Sequence, residues 1–434
     1  MYPGLAGHLF NRSNFQRGDK TDEIDDIIIE ACRRWLQAPG ALTPGGRPTT
    51  VRLSAFFDFA VSLQYAMDLV HVEGAKYRFA QPGITHDNFL IFPYTWICPM
   101  CIGNGGKPSD AYLPNAARKR DPQGNVRDFP DKELLAKPRA RAIGDAGFKT
   151  LLAIVKAVLS DKPNIRICAG GGRRGEFDVT LASTEFLVFG EAKAKPLVCF
   201  PLVVENASAY ASHEWITPEG GECSLYIAAT NKRVPLGMPD SRLWPLNRLL
   251  KISSDPELVK IIEEAWYQHL SAYRQWKNEP DLLRWVRFGC GNFHVRENTE
   301  RVEKRVANTK ELPGLDRTDD IKKGATQLLL FSRLKFGCKR VALKSVLFGN
   351  TYAETHEVDY LGPISTIRVL SADEKRTEYI FDAIIGLTQN LVNDASIVDS
   401  LAPLSQRGKI PGPTDETAAV QAFLAPDKAD NDEG

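Results

Sequence analysis

The sequence predicts an α/β protein with an N-terminal, mainly helical module and an insertion. Three observations predict it. Segments with apolar residues at helical spacing alternate with short apolar runs of strand length. The strand-like runs cluster in the middle of the chain and again after a long interval. A chain of 434 residues, 43% hydrophobic and 25% charged, has room for two or three globular domains. The predicted division is an N-terminal module over 1–135, a main domain over 136–402 with an insertion near 207–317, and a disordered tail over 403–434.

In chain order, residues 21–36 read as an amphipathic helix. Thr21, Asp22 and Glu23 give it an acidic start, and Ile27, Ile28, Ile29, Ala31, Cys32, Trp35 and Leu36 form the apolar stripe. Residues 38–50, rich in Gly and Pro, read as a loop, and 53–70 as a second helix whose aromatic residues suit a core. Residues 103–138 are polar, basic and rich in Gly and Pro, the expected linker. Residues 142–159 form a third helical pattern through Ile143, Phe148, Leu151, Leu152, Ile154, Val155, Val158 and Leu159. Strands are expected at 164–168, 176–181, 186–193 and 223–229, with a further apolar stretch at 197–205. Long helices are expected at 255–276 and 319–335, a strand at 340–348, and a last helix at 377–392. The polar, Pro-containing and acidic end has the composition of a disordered tail.

The chemistry concentrates between Gly175 and Pro196. Glu176, Phe177, Asp178, Val179, Thr180 and Leu181 alternate polar and apolar, as in a half-buried strand. Phe186, Leu187, Val188, Phe189 and Gly190, leading into Glu191, Ala192 and Lys193, form an apolar run of the kind covered on both faces. A two-residue turn at Thr184 and Glu185 sets Asp178 opposite Glu191 and Glu176 opposite Lys193. Side chains alternate across a sheet, so all four would share one face. Three carboxylates and an ammonium pack poorly in a core but suit a hard divalent cation, which takes oxygen ligands. The bland alternative is a surface hairpin with a salt-bridged face.

This arrangement resembles the PD-(D/E)XK nuclease superfamily, to which most type II restriction endonucleases belong. The family's pattern is an acid on one strand, a spacer, then an acid, any residue and a lysine. Here Asp178 matches the first acid and Glu191, Ala192 and Lys193 the second part, with residues 179–190 between them. The residue before Asp178 is Phe177 rather than proline, a position that varies in the superfamily. The resemblance implies a restriction-endonuclease-like core, a mixed central sheet flanked by helices, that begins helix, strand, loop, acid strand, acid-x-Lys strand, the order read here. It implies that Asp178, Glu191 and the Ala192 carbonyl ligate Mg²⁺, with Glu176 as an extra ligand, and that Lys193 orients and helps deprotonate the attacking water. It also implies that the helix after the acid-x-Lys strand presents Lys323 or Gln327 to the site, with the intervening residues as an insertion.

Net charge is +1, so bulk charge does not advertise a nucleic-acid binder. Local clusters do more: Arg118, Lys119 and Arg120, and then Lys132, Lys137, Arg139 and Arg141. Gly170, Gly171 and Gly172 followed by Arg173 and Arg174 could let a phosphate backbone approach, with the arginines on phosphates. The same loop reads equally as a flexible turn, and it is no Walker loop, since no Lys-Ser/Thr follows. Cys98 and Cys101 form a CxxC able to share a structural Zn²⁺, with Cys290 and His294 as the best distant pair and His71, His86, Cys168 and Cys338 as alternatives. Two buried thiols are the simpler account of that CxxC.

Other classes are excluded. There is no apolar run of membrane-spanning length, no signal-peptide pattern, no disulfide scaffold among the eight cysteines and no serine-hydrolase elbow. The expectation is a cytoplasmic, Mg²⁺-dependent endonuclease acting on double-stranded DNA, a homodimer matched to a palindromic site. A type II restriction enzyme implies a role in phage defence and a partner DNA methyltransferase acting on the same site. The alternatives are a structure-specific repair or mobile-element nuclease, and a non-catalytic DNA-binding protein whose acidic hairpin is structural.

Overall fold

A computed structural model describes residues 22–38, 49–70, 89–91, 140–160, 165–169, 178–182, 186–200, 202–204, 222–230, 232–275, 312–336, 342–396 and 409–410. The chain is mixed α/β, as its sequence predicts. Its main sheet has seven strands: β2 (Arg166–Ala169), β3 (Val179–Ala182), β4 (Phe186–Lys193), β8 (Ala342–Gly349), β11 (Ala383–Gly386), β12 (Asn390–Val392) and β13 (Lys409–Ile410), in the spatial order β13-β12-β11-β8-β4-β3-β2. The first three form an antiparallel meander. β8 then joins parallel to β4 and β11 parallel to β8, while β12 returns antiparallel.

Two helices cover opposite faces. α3 (Ala140–Val158) packs on one, within a core that also holds Val179, Leu181, Val188 and Val346. α6 (Thr318–Lys335) packs on the other, over Leu187, Phe189, Leu347 and Ile384. β4 supplies alternate residues to both cores, which explains its unbroken apolar run. Phe331 of α6 packs on Phe189 of β4 with ring centroids 4.1 Å apart.

α1 (Glu23–Gln37) is capped by Asp22, whose carboxylate accepts from the Asp25 amide at 2.9 Å. α2 (Thr49–Val70) is buried all round over residues 51–67, so it is a central helix rather than a surface one. Its polar residues are correspondingly engaged. Arg52 donates to Glu263 of α5 (Pro256–Arg274), which also accepts from the Trp35 indole, so one buried carboxylate ties α1, α2 and α5 together. The core beside α3 runs on continuously through α1, α2 and α5. It also covers a four-stranded antiparallel sheet of β1 (Phe89–Ile91), β5 (Leu202–Val204), β6 (Cys223–Ile227) and β7 (Lys232–Gly237).

Two expectations change. The helix expected over 377–392 is instead three strands, β10 (Thr377–Tyr379), β11 and β12. Ile380, Phe381, Ile384 and Ile385 fit helical spacing, but short apolar runs do not distinguish a helix from a buried strand. Parallel pairing with β8 decides it. Ile384 and Ile385 are buried in opposite cores. A Cβ at Gly386 would sit 2.8 Å from the Gln389 carbonyl oxygen, so the tight turn into β12 demands glycine. The tail expected over 403–434 contributes β13, which pairs with Asn390 and Leu391; its other residues lie outside those described.

Candidate active site

β3 and β4 pair in the register expected for the hairpin, with Val179 opposite Gly190 and Ala182 opposite Leu187. Asp178, one residue before β3, therefore faces Glu191. Its amide donates to the Gly190 carbonyl at 3.0 Å, and its Oδ2 accepts from the Ala192 amide at 2.9 Å. Glu191 is 2% exposed and forms an ion pair with Lys193, whose side chain is 17% exposed. The lysine side chain is thus partly exposed while the carboxylate it touches stays buried.

Burial raises the Glu191 carboxyl, the neighbouring Asp178 charge raises it further, and Lys193 opposes both, leaving it at about 7. Two carboxyl groups held this close resist joint ionisation. A divalent cation between them would relieve that repulsion, and an oxygen-only donor pair suits Mg²⁺. Asp178 and Glu191 are the residues that could hold it. Among the described residues no group of three or more His, Cys, Asp or Glu side chains gathers to form a metal site.

The surrounding elements shape this edge. Glu191 lies under α6, where Gly324 leaves room: a Cβ there would meet Glu191 Cγ at 3.5 Å and Leu347 Cδ1 at 2.9 Å. Gln327 lies one turn past Gly324 on α6 and one turn before the Phe331 that packs on Phe189. Lys323 is exposed, and Lys322 lies over the Tyr360 ring, 5.6 Å from its centroid. On the opposite face Ala192 and Ala194 pack into the α3 core, and Gly147 of α3 admits the Ala194 carbonyl where any Cβ would overlap it.

Past Lys193 the chain is held by side chains. The buried Asp58 of α2 accepts from the amides of Leu197 at 3.1 Å and Val198 at 2.9 Å and from the Trp266 indole at 2.8 Å. Ser62, one turn on, accepts from the Phe200 amide at 3.1 Å. Asn350, just after β8, bonds the backbone of Lys195 on both sides. Sequence reasoning missed these groups. An acid in the middle of the apolar helix, as at Asp58, is a readable signal of a buried partner, whereas nothing local marks Asn350.

Glu176, Arg139, Arg173, Arg174, Cys98, Cys101, Cys290 and His294 lie outside the described residues. Arg141 falls in the first turn of α3. Lys149, further along that helix, is committed to Asp22 at 2.9 Å and so joins α3 to the cap of α1. Among the described residues no helix is long and apolar enough to cross a membrane. No protein-family model, no curated protein and no solved structure matches the chain.

Proposed function

We propose that the protein is a Mg²⁺-dependent endodeoxyribonuclease of the type II restriction kind, built on a restriction-endonuclease-like core. The observation that carries this reading is the meeting of Asp178, Glu191 and Lys193 where β3 begins and β4 ends, with Glu191 held between the second carboxyl and the ammonium. The element order supports it: α3, β2, the acid strand β3 and the acid-x-Lys strand β4 follow one another, and α6 then leads into a strand parallel to β4.

Mg²⁺ held by Asp178 and Glu191 would supply positive charge at the scissile phosphate and lower the pKa of attacking water. The chain's own part is orientation and electrostatics. Asp178 is fixed through the Ala192 amide, so the first acid and the second strand move as one unit. Lys193 is a compact point charge on a partly exposed stem, suited to stabilising charge that develops on phosphate and water oxygens. Gln327 of α6 is the further polar group proposed to serve this site. Double-stranded DNA is the proposed substrate, a homodimer the proposed assembly, and a methyltransferase of the same specificity the proposed partner.

Digestion of phage and plasmid DNA, with Mg²⁺ or with EDTA, tests this. Discrete fragments that require Mg²⁺ and share one end sequence are expected. Cutting confined to forks or flaps would assign the site to a structure-specific nuclease, and DNA left intact on methylated and unmethylated substrates would refute the restriction reading.

A further inference from the structure

The backbone ladder between β4 and β8 has its last rung at Lys193 and Gly349. Lys193, the residue on which the proposed chemistry leans hardest, is therefore the final residue of its strand, where a strand would ordinarily fray. Two residues on, the ladder is continued by a side chain. Asn350 Oδ1 accepts from the Lys195 amide at 2.9 Å, and Asn350 Nδ2 donates to the Lys195 carbonyl at 2.6 Å. The carboxamide thus imitates a backbone peptide and fixes the peptide groups on both sides of Lys195. Its orientation is forced, because the amide needs an acceptor and the carbonyl a donor. The Gly314 amide also donates to that carbonyl, at 3.1 Å. Asn350 is 1% exposed, so water cannot readily replace these bonds. Gly147 of α3 confines the Ala194 carbonyl from the other face.

We propose that Asn350 is a positioning residue for Lys193, clamping the exit of the acid-x-Lys strand so that the ammonium is held against Glu191. The inference rests on the nuclease reading of Lys193. A group that orients a reacting side chain without touching substrate typically contributes about 10–100-fold to activity. Asn350→Leu keeps the number and branching of the side-chain heavy atoms and removes both bonds. Asn350→Asp keeps the acceptor for the Lys195 amide but sets a carboxylate oxygen against the Lys195 carbonyl.

The experiment measures single-turnover cleavage of the substrate DNA at saturating Mg²⁺ for wild type, N350L, N350D, K193A and the double variant K193A/N350L. Binding of the same DNA is measured in Ca²⁺, and amide exchange is followed over the peptide spanning 190–200. The expected result is a loss of about 10–100-fold in cleavage rate for N350L, with DNA affinity within a few-fold of wild type. N350L should add little further loss in the K193A background, because residues acting as a unit are not additive. Exchange should rise at residues 194–196 while the β3–β4 rungs stay protected. N350D serves if N350L does not fold, with a smaller loss of the same pattern. Wild-type rates in a folded variant, full additivity with K193A, or unchanged exchange would each overturn the assignment. A wild-type protein that cuts no DNA would instead refute the nuclease reading itself, and with it the role toward Lys193.

Discussion

Metal binding at Asp178 and Glu191 should be coupled to a proton with a midpoint near neutrality. Burial and the Asp178 charge hold Glu191 at about 7 in the metal-free protein. A cation can occupy the site only when that carboxyl is ionised, so binding displaces the proton. Apparent affinity should be level above about pH 8 and fall by about tenfold by pH 6 and about 100-fold by pH 5, each decade being about 1.4 kcal/mol. Titration calorimetry with Mg²⁺ or Mn²⁺, run at each pH in buffers of different ionisation enthalpy, reads both quantities. About 0.9 proton should be released per ion at pH 6 and almost none at pH 8. Lys193→Ala removes the charge that lowers Glu191, so its midpoint should move upward and proton release persist to higher pH. Glu191→Gln should abolish the release along with tight binding. Affinity that is flat from pH 5 to 8 with no proton release would refute the claim that these two carboxyls form the metal site.

Other predictions concern the frame that holds this edge. Gly147→Ala forces a Cβ into the Ala194 carbonyl and should destabilise by about 1–3 kcal/mol in urea unfolding, whereas Gly144→Ala, exposed with open space around it, should stabilise by up to about 1 kcal/mol. Lys335 and Asp382 form a buried ion pair at 2.5 Å that fastens the end of α6 to the sheet, and Asp382 also accepts from the Ser345 amide at 2.6 Å. Asp382→Ala should therefore cost about 3–5 kcal/mol, because it leaves the ammonium buried and unpaired; thermal unfolding checks it. Burial raises Asp58 from 3.8 to about 8 against its three N–H donors, so its contribution to stability is full below its ordinary value and lost as pH rises through about 8. Asp58→Asn keeps an acceptor and cannot ionise, so it should flatten the fall in Tm across that window; parallel curves for the two proteins would show that Asp58 does not titrate there.

The hairpin was legible because every cue in it is local. An alternating strand, a short polar turn and an apolar run can meet in few registers, and the acids then fall opposite one another. The bounds of β4 follow from the same run, which ends where Glu191 and Lys193 introduce charge. The partner of β4 was less accessible. β8 lies about 150 residues further on and pairs in parallel through α6, and such a pairing leaves no periodic trace in either strand. Gln327 was readable as a polar residue on a helix, but the approach of α6 to Glu191 depends on Gly324 allowing the helix to close on the strand. The 377–392 segment misled because Ile384 and Ile385 satisfy helical and buried-strand patterns alike. Asn350 is invisible for a different reason: an asparagine after a strand ordinarily signals a turn, and its use as a ladder rung depends on where Lys195 arrives in space.

The central claim is that Lys193 acts in phosphodiester cleavage beside the Asp178–Glu191 pair. The most direct measurement is the single-turnover cleavage rate of wild type and Lys193→Ala at saturating Mg²⁺, with DNA binding measured separately in Ca²⁺. The account predicts a loss of at least about 100-fold in rate with DNA affinity retained. Equal rates in the two proteins would contradict it and leave the acidic hairpin a structural feature.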